Sequence, residues 1–430
     1  MNFISGKLLD RKHSYEYLDK LSELICETYQ HKTLPVQRVI SACDTLSELI
    51  NKRDHLPLLL SLGMNESKAH SELMLVKLML SREYLENRLK AEFGTDFETY
   101  LEYRPFGSER IVRQEWKPLG VLLHIAAGNV DALPVFSVIE GLLTGNINIL
   151  KLPGTDDGLS IAILQKLTEI EPLISEYAYV FDYPSSDIES IKKMAAPADA
   201  VVVWGGDAAV AAVRNMAAPN TKIIEWGHKI SFAYISGMDI SDEDLEGIAF
   251  NICDTNQLLC NSCQGIFIDT NNYKDIMEFS ERFLPILEGM SQRMPLKADP
   301  YLQAQKTLEM NTEELESSKM GKRVFKSETC SITAYKDDCA LEPSHMYRNC
   351  WVKPLPREKL LSALLKYKNH LQTAALVCKE NDRPSLEAML FKTGVVRITS
   401  GRNMSTTFCG APHDGEYPLR RYMKIVTYEY

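Results

Sequence analysis

Nowhere in its 430 residues does the chain string together the run of about 18 apolar residues that a membrane-spanning helix requires. Positive charge is also scarce: 48 Lys and Arg against 58 Asp and Glu leave a formal net charge of −10. That balance removes the cationic excess on which phosphate-backbone binding depends, so neither a membrane nor a nucleic acid is an expected partner. Met1 to Asp19 carries scattered charges and no apolar h-region, so it does not read as a signal peptide. No G-x-G-x-x-G fingerprint follows a strand-like run. Cys260 and Cys263 form a lone C-x-x-C with neither a second such pair nor a spaced His pair, so no metal site is expected. Internal repeats and low-complexity stretches are missing too.

The ten cysteines are too sparse for a disulfide scaffold. Isolated ones such as Cys26, Cys43 and Cys378 read as small buried hydrophobes. A reducing cytoplasm is the expected setting, and it keeps a reactive thiol available. The remaining composition, 45% hydrophobic and 25% charged, is that of a globular protein of two or three domains.

Helical periodicity dominates the first hundred residues. Leu18, Leu21, Ile25 and Tyr29 share one face, as do Val36, Val39, Ile40, Cys43, Leu46 and Ile50. A longer helix is expected from about Glu66 to Phe93, ending at Gly94. From Gly120 the pattern changes. Strand-like runs at Gly120–Ile125, Ile147–Leu152, Ala178–Asp182, Ala200–Trp204 and Lys222–Trp226 alternate with helix-like Asp131–Leu143, Asp157–Glu171, Ser186–Met194 and Asp207–Met216. Short apolar runs separated by amphipathic segments predict an α/β fold with a doubly wound parallel sheet. Downstream, Ile230–Ile235, Ser331–Tyr335 and Leu371–Cys378 read as strands, and Asp239–Ile252, Tyr273–Met290 and Arg357–Lys368 as helices, giving a second α/β domain that carries Cys260. The tail, Tyr422 to Tyr430, alternates like a strand. Four segments follow: a helical region over 1–100, a cofactor domain over 101–228, a catalytic domain over 229–410 and a C-terminal strand over 411–430.

Several motifs recur in an ordered series. Trp116-Lys117-Pro118-Leu119-Gly120 leads to His124-Ile125-Ala126-Ala127-Gly128-Asn129, and Gly145-Asn146 precedes a run ending in Lys151. Taken singly, Asn129 is a helix cap and Lys151 a solvated charge. Trp204-Gly205-Gly206-Asp207 makes a tight strand-to-helix turn, either an ordinary turn or a cradle for a pyrophosphate. Glu225-Trp226-Gly227-His228-Lys229-Ile230-Ser231 follows, then Asn256-Gln257-Leu258-Leu259-Cys260. Glu225 and Cys260 are 35 positions apart (260 minus 225). Near the end stand Gly394-Val395-Val396-Arg397 and Ala411-Pro412-His413-Asp414-Gly415.

In this order the motifs resemble the aldehyde dehydrogenase superfamily and, within it, the LuxC-type acyl-CoA reductases, from about residue 100 to the end. The resemblance implies a nucleophilic Cys260, an oxyanion-holding Asn129 and a general-base or proton-carrying Glu225. It also implies that Lys151, Trp204, Gly205, Gly206 and Gly227 bind a nicotinamide cofactor without the usual glycine fingerprint. Gly154 stands where many NAD-using relatives place a ribose-binding Glu, which leans the expectation to NADPH over NADH. Asp156 and Asp157 are the nearby carboxylates that would reverse it. The expected substrate is an acyl-CoA or an acyl-carrier or acyl-protein thioester, reduced to an aldehyde through an acyl-cysteine, with an acyl-protein synthetase as a possible partner. NAD-dependent aldehyde oxidation and an idle acyl-carrying subunit are the alternatives. His228 and His413 are candidates for proton transfer or phosphate binding, against a structural role for each. Arg110–Lys117 and the tail look like edge strands resembling the superfamily's oligomerisation arms, so a homo-oligomer is expected.

Overall fold

A computed structural model describes residues 1–61, 66–94, 100–126, 132–156, 158–296, 300–317 and 321–429. The chain divides into two compact units, Met1–Gly227 with Cys409–Tyr430, and His228–Phe408. The N-terminal region and the tail, set apart from the cofactor domain on sequence grounds, therefore belong to one unit with it.

In the first unit the strands are β1 (Asn2–Ile4), β2 (Lys7–Leu9), β3 (Tyr100–Tyr103), β4 (Val112–Pro118), β5 (Val121–Ile125), β6 (Ile147–Lys151), β7 (Ala178–Phe181), β8 (Ala200–Trp204) and β9 (Lys222–Trp226), with Met423–Glu429 last. Seven of them form a sheet in the order β2-β1-β7-β6-β5-β8-β9, with β5 to β9 parallel. Val121–Leu123 and Ala200–Val203 are wholly buried, as strands covered on both faces must be. Chain order reverses between β5 and β8, so their carboxyl ends flank a topological switch point, the usual ligand crevice of such sheets. The helices Leu133–Leu143, Leu159–Ile170, Ile188–Ala195 and Asp207–Met216 connect these strands. Two of the expected helix starts, Asp131 and Asp157, lie outside the described residues.

The N-terminal region is not purely helical. Ser5 (φ 49°) and Gly6 (φ 75°) close a two-residue turn joining β1 to β2, and Phe3 of β1 pairs with Val180 of β7. The helix expected over 66–93 is two, Glu66–Leu80 and Arg82–Phe93. Ser81 interrupts it, accepting from the Tyr84 N–H as an N-cap. Leu18, Leu21, Ile25, Val39, Ile40 and Leu46 share one core with the sheet. Tyr29 does not join them: it is half exposed, and Thr28 takes the inward position. Cys43 is buried as expected, whereas Cys26 is exposed.

A separate antiparallel sheet places β4 between β3 and Met423–Glu429. Arg110–Lys117, expected as an edge, is thus largely a central strand. Tyr100–Tyr103, which covers it, is exposed at all four positions and has no buried face to betray it in sequence. The Arg113 guanidinium lies between the Tyr100 and Tyr428 rings, 4.7 and 5.0 Å from their centres.

The second unit contains β10 (Ile230–Ile235), β11 (Cys263–Ile268), β12 (Lys322–Lys326), β13 (Ser331–Tyr335), β14 (Asn349–Pro354), β15 (Leu371–Val377) and β16 (Arg397–Thr399). Their order is β12-β13-β14-β11-β10-β15-β16, parallel except for β12. Helix Asp242–Thr255 starts at Ser241, whose hydroxyl accepts from Asp244 N–H, and three acids fill its first turn, where the helix dipole favours them. Gly265 on β11 admits the Trp351 ring of β14; a Cβ there would lie 2.0 Å from it.

Candidate active site

Helix Asp242–Thr255 stops because Asn256 (φ 47°) and Gln257 (φ 63°) turn left-handed. Two consecutive non-glycine residues in that region are unfavourable and persist only where their surroundings hold them. Gln257 does much of the holding. It is buried, donates Nε2 to the carbonyls of Cys263 (3.1 Å) and Gln264 (3.3 Å), and accepts at Oε1 from Arg348 N–H (3.0 Å). Arg348, itself left-handed (φ 72°), donates Nε to Asn256 Oδ1 (3.2 Å) and Nη1 to Ser291 Oγ (2.6 Å). The loop between Gln257 and β11 is therefore anchored at both ends.

Cys260 sits in that loop, partly exposed. Its carbonyl accepts from Ser231 Oγ (2.7 Å), which also accepts from the Thr373 N–H of β15 (3.0 Å). Its sulfur accepts from Gln372 Nε2 at 3.2 Å. A donated N–H stabilises negative charge on sulfur, and the thiolate is the nucleophilic form. Cys263 has the opposite environment. It is fully buried at the start of β11, donates to the Gly265 carbonyl (3.3 Å), and burial pushes its thiol up to about 12. Among the described residues no disulfide involves any of the ten cysteines. The C-x-x-C is thus one accessible sulfur and one inert one.

In the first unit the candidates gather at the carboxyl ends of the parallel strands, the side where such sheets bind ligands. Asn129 lies outside the described residues. Lys151 ends β6, is buried, and donates to Ser185 Oγ (2.9 Å). Burial lowers its pKa, against a smaller opposing effect of the Asp182 charge. It lines a cavity of about 350 Å³ with Ile125, Ile188, Lys192, Ala209 and Met216. This cavity is bordered by the helices Ile188–Ala195 and Asp207–Met216. Gly205 donates its N–H to the Trp226 carbonyl (3.1 Å), and a Cβ there would sit 3.1 Å from Ala209 Cβ. Gly206 caps helix Asp207–Met216, and nothing lies within 4 Å of where its Cβ, or that of Gly227, would be.

Trp204 stacks on Trp226 (5.3 Å, 29° between planes), and His413 packs against both rings at 5.2 and 5.0 Å. Trp204 Nε1 donates to Ser137 Oγ, which faces His124 Nδ1 at 2.7 Å, while His124 Nε2 meets Asn148 Oδ1 at 3.0 Å. Burial pushes His124 down to about 4, so it is a neutral structural link. His228 is exposed in the second unit. Glu225, on β9, has both oxygens engaged by Arg214: Nη2 reaches Oε2 at 2.8 Å and Nε reaches Oε1. Sequence reasoning gave no role to Gln372, Ser231 or Arg214; Ser231 ends the motif that begins at Glu225, whereas Gln372 and Arg214 stand in none.

The profile of the family described as acyl-CoA reductase (LuxC) matches residues 32–425. The chain belongs to that family. Among similar relatives, the long-chain acyl-protein thioester reductase of Vibrio harveyi is 25% identical over 318 residues, covering 73% of this chain and 65% of that one. The enzyme of the same description from Aliivibrio fischeri is 23% identical over 376 residues, covering 86% and 75%. The aligned part of this LuxC-family chain thus spans somewhat under two thirds of the first relative.

Among solved structures, lactaldehyde dehydrogenase from Escherichia coli superposes with a TM-score of 0.72 at 16% identity, covering 100% of this chain and 98% of that one. The glyceraldehyde-3-phosphate dehydrogenase GapN of Methanocaldococcus jannaschii, complexed with NADP, gives 0.69 at 13%, again covering 100% and 98%. The fold of this LuxC-family chain is that of the aldehyde dehydrogenases.

Proposed function

We propose that this LuxC-family protein reduces an acyl thioester to an aldehyde, with Cys260 as acyl acceptor and NADPH as reductant. The observation that carries the reading is the partly exposed Cys260 sulfur, held by a carbonyl contact and an amide N–H, in a chain of acyl-CoA reductase family. Its thiolate attacks the acyl carbonyl and the donor thiol, from CoA or a carrier or acyl protein, departs. By family resemblance the Asn129 amide holds the oxyanion, and Glu225 carries a proton. A donor of that kind is typically worth on the order of a hundredfold to a thousandfold in rate.

The first unit fits a dinucleotide. The Lys151 cavity at the strand ends, the Gly205-Gly206 turn under a helix N-terminus, Trp204 and the open space beside Gly227 would hold it. When bound, the reduced nicotinamide supplies hydride. Gly154 offers no side chain, and Asp156 turns its carboxylate to the Gly158 N–H (2.9 Å) and Ser160 Oγ (2.6 Å). With Lys151 and Lys192 at the cavity, that arrangement supports a 2′-phosphate and hence NADPH over NADH.

Other parts of the reading follow. Among the described residues no helix is long and apolar enough to cross a membrane. Ten cysteines without a disulfide suit a reducing cytoplasm. Tyr100, Leu101 and Ile425, each more than half exposed on the three-stranded sheet, support self-association through its edges, which light scattering would test. An acyl-protein synthetase is the partner that would supply the activated acyl group.

The deciding experiment incubates the protein with acyl-CoAs of increasing length and NADPH or NADH, and in parallel with aldehydes and NAD. Aldehyde formation with NADPH oxidation is expected in the first set. Turnover in the second set alone would replace reduction by aldehyde oxidation.

A further inference from the structure

Glu225 is the carboxylate that, by resemblance, would activate water, yet both its oxygens accept from one guanidinium. Side-by-side donation is the geometry in which Arg grips a carboxylate most firmly. The Glu225 side chain is 25% exposed and Arg214 65%, so the pair is reachable by solvent and opens at modest cost. A second cation frames the same strand end: Arg421 lies 5.0 Å over the Trp226 ring and donates to the Glu225 carbonyl. While the pair is closed, a water must compete with the guanidinium for either Glu225 oxygen.

An acyl-cysteine has two fates. Hydride yields the aldehyde. Alternatively, a water oxygen bonds to the acyl carbon, one water proton passes to a base, and the carbon–sulfur bond breaks with its electron pair going to sulfur. The products are a carboxylic acid and the thiol, with no net oxidation or reduction. For a reductase the second route destroys the activated substrate. We propose that Arg214 withholds Glu225 from activating water and so reserves the acyl-enzyme for reduction. The inference rests on the acyl-Cys260 reading above, and it makes Arg214 a positioning residue. Its neighbours Val213 and Asn215 line the Lys151 cavity, so the helical turn that carries the guanidinium also borders the space for the cofactor.

The test compares wild type with Arg214→Met, Arg214→Lys and the double variant Arg214→Met/Glu225→Gln. Each receives acyl-CoA without nicotinamide, and free acid is quantified by mass spectrometry. Arg214→Met should release acid faster, by up to about fivefold, the factor that an exposed ion pair can withhold. The double variant should fall back to the wild-type rate. Arg214→Lys should lie between, since an ammonium lacks the planar fork. Raising salt from about 50 to about 500 mM should increase release by wild type but not by Arg214→Met, because exposed ion pairs are screened. Unchanged acid release in Arg214→Met, or a rise that survives in the double variant, overturns the proposal. Adding NADPH separates the two readings: no aldehyde from wild type removes the reductase assignment, while the acid comparison still decides on Arg214.

Discussion

Gln372 Nε2 lies 3.2 Å from Cys260 Sγ, and the next residue, Thr373, donates its N–H to the Ser231 hydroxyl that grips the Cys260 carbonyl. Two successive positions of β15 therefore hold the thiol. Gln372→Leu should slow iodoacetamide alkylation of Cys260 several-fold near pH 7 and move its pH midpoint upward, read from the labelled peptide. Cys263, pushed up to about 12 by burial, should stay unlabelled in both proteins. Equal rates would show that the amide does not stabilise the thiolate.

Cys260→Ala should lower NADPH oxidation with acyl-CoA by about a thousandfold or more and abolish the acylated peptide. Cys263→Ala should keep turnover and lose about 1 kcal/mol of stability by urea titration, since it removes only a buried sulfur. A Cys263 variant that loses turnover while remaining folded would reverse these assignments.

Lys353 on β14 has no exposed side-chain surface. Its Nζ donates to Asp338 (2.5 Å), Glu342 (2.6 Å) and the Ala340 carbonyl (2.9 Å). Asp338→Asn with Glu342→Gln strands a buried ammonium and should cost about 3–5 kcal/mol. Lys353→Met leaves two partly exposed carboxylates to be solvated by water, and should cost about 1 kcal/mol or less. Urea midpoints rank the two, and the opposite order would refute the argument.

Glu313 is almost wholly buried. Burial raises its pKa, but hydrogen bonds from His345 and Lys322 outweigh burial and bring it to about 2, from an ordinary 4.5. Its stabilisation is therefore present above about 4.5 and lost as pH falls towards 2. His345 is raised from 6.5 mainly by its hydrogen bond to Glu313, so its share is present below 6.5 and lost as pH rises through the raised value. The stability gap between wild type and Glu313→Gln should accordingly be widest between about pH 4.5 and 6.5. A gap independent of pH would show that the pair does not titrate on unfolding.

Legibility in the sequence followed burial. Strands β8, β9, β10 and β13 begin and end where their apolar runs do. β11 and β14 were not read, because Gln264, Gly265, Asn349 and Lys353 break the pattern. Those residues are tolerated there only because distant segments receive them: Ser344 donates to Gln264, and Asp338 and Glu342 accept from Lys353. β3 went unread for want of a buried face, and with it the central place of β4.

What the chain carried in its own order was the alternation of strand and helix, the singling out of Cys260 among ten cysteines, and the motif series of the LuxC family. Those properties are local or ordered along the chain, so one dimension suffices to write them. Which groups touch the reactive atoms was decided in three dimensions. Gln372 reaches Cys260 from 112 residues away, and Arg214 reaches Glu225 from a neighbouring helix. Each such contact depends on how strands and helices are brought side by side, and no periodicity in the sequence records it.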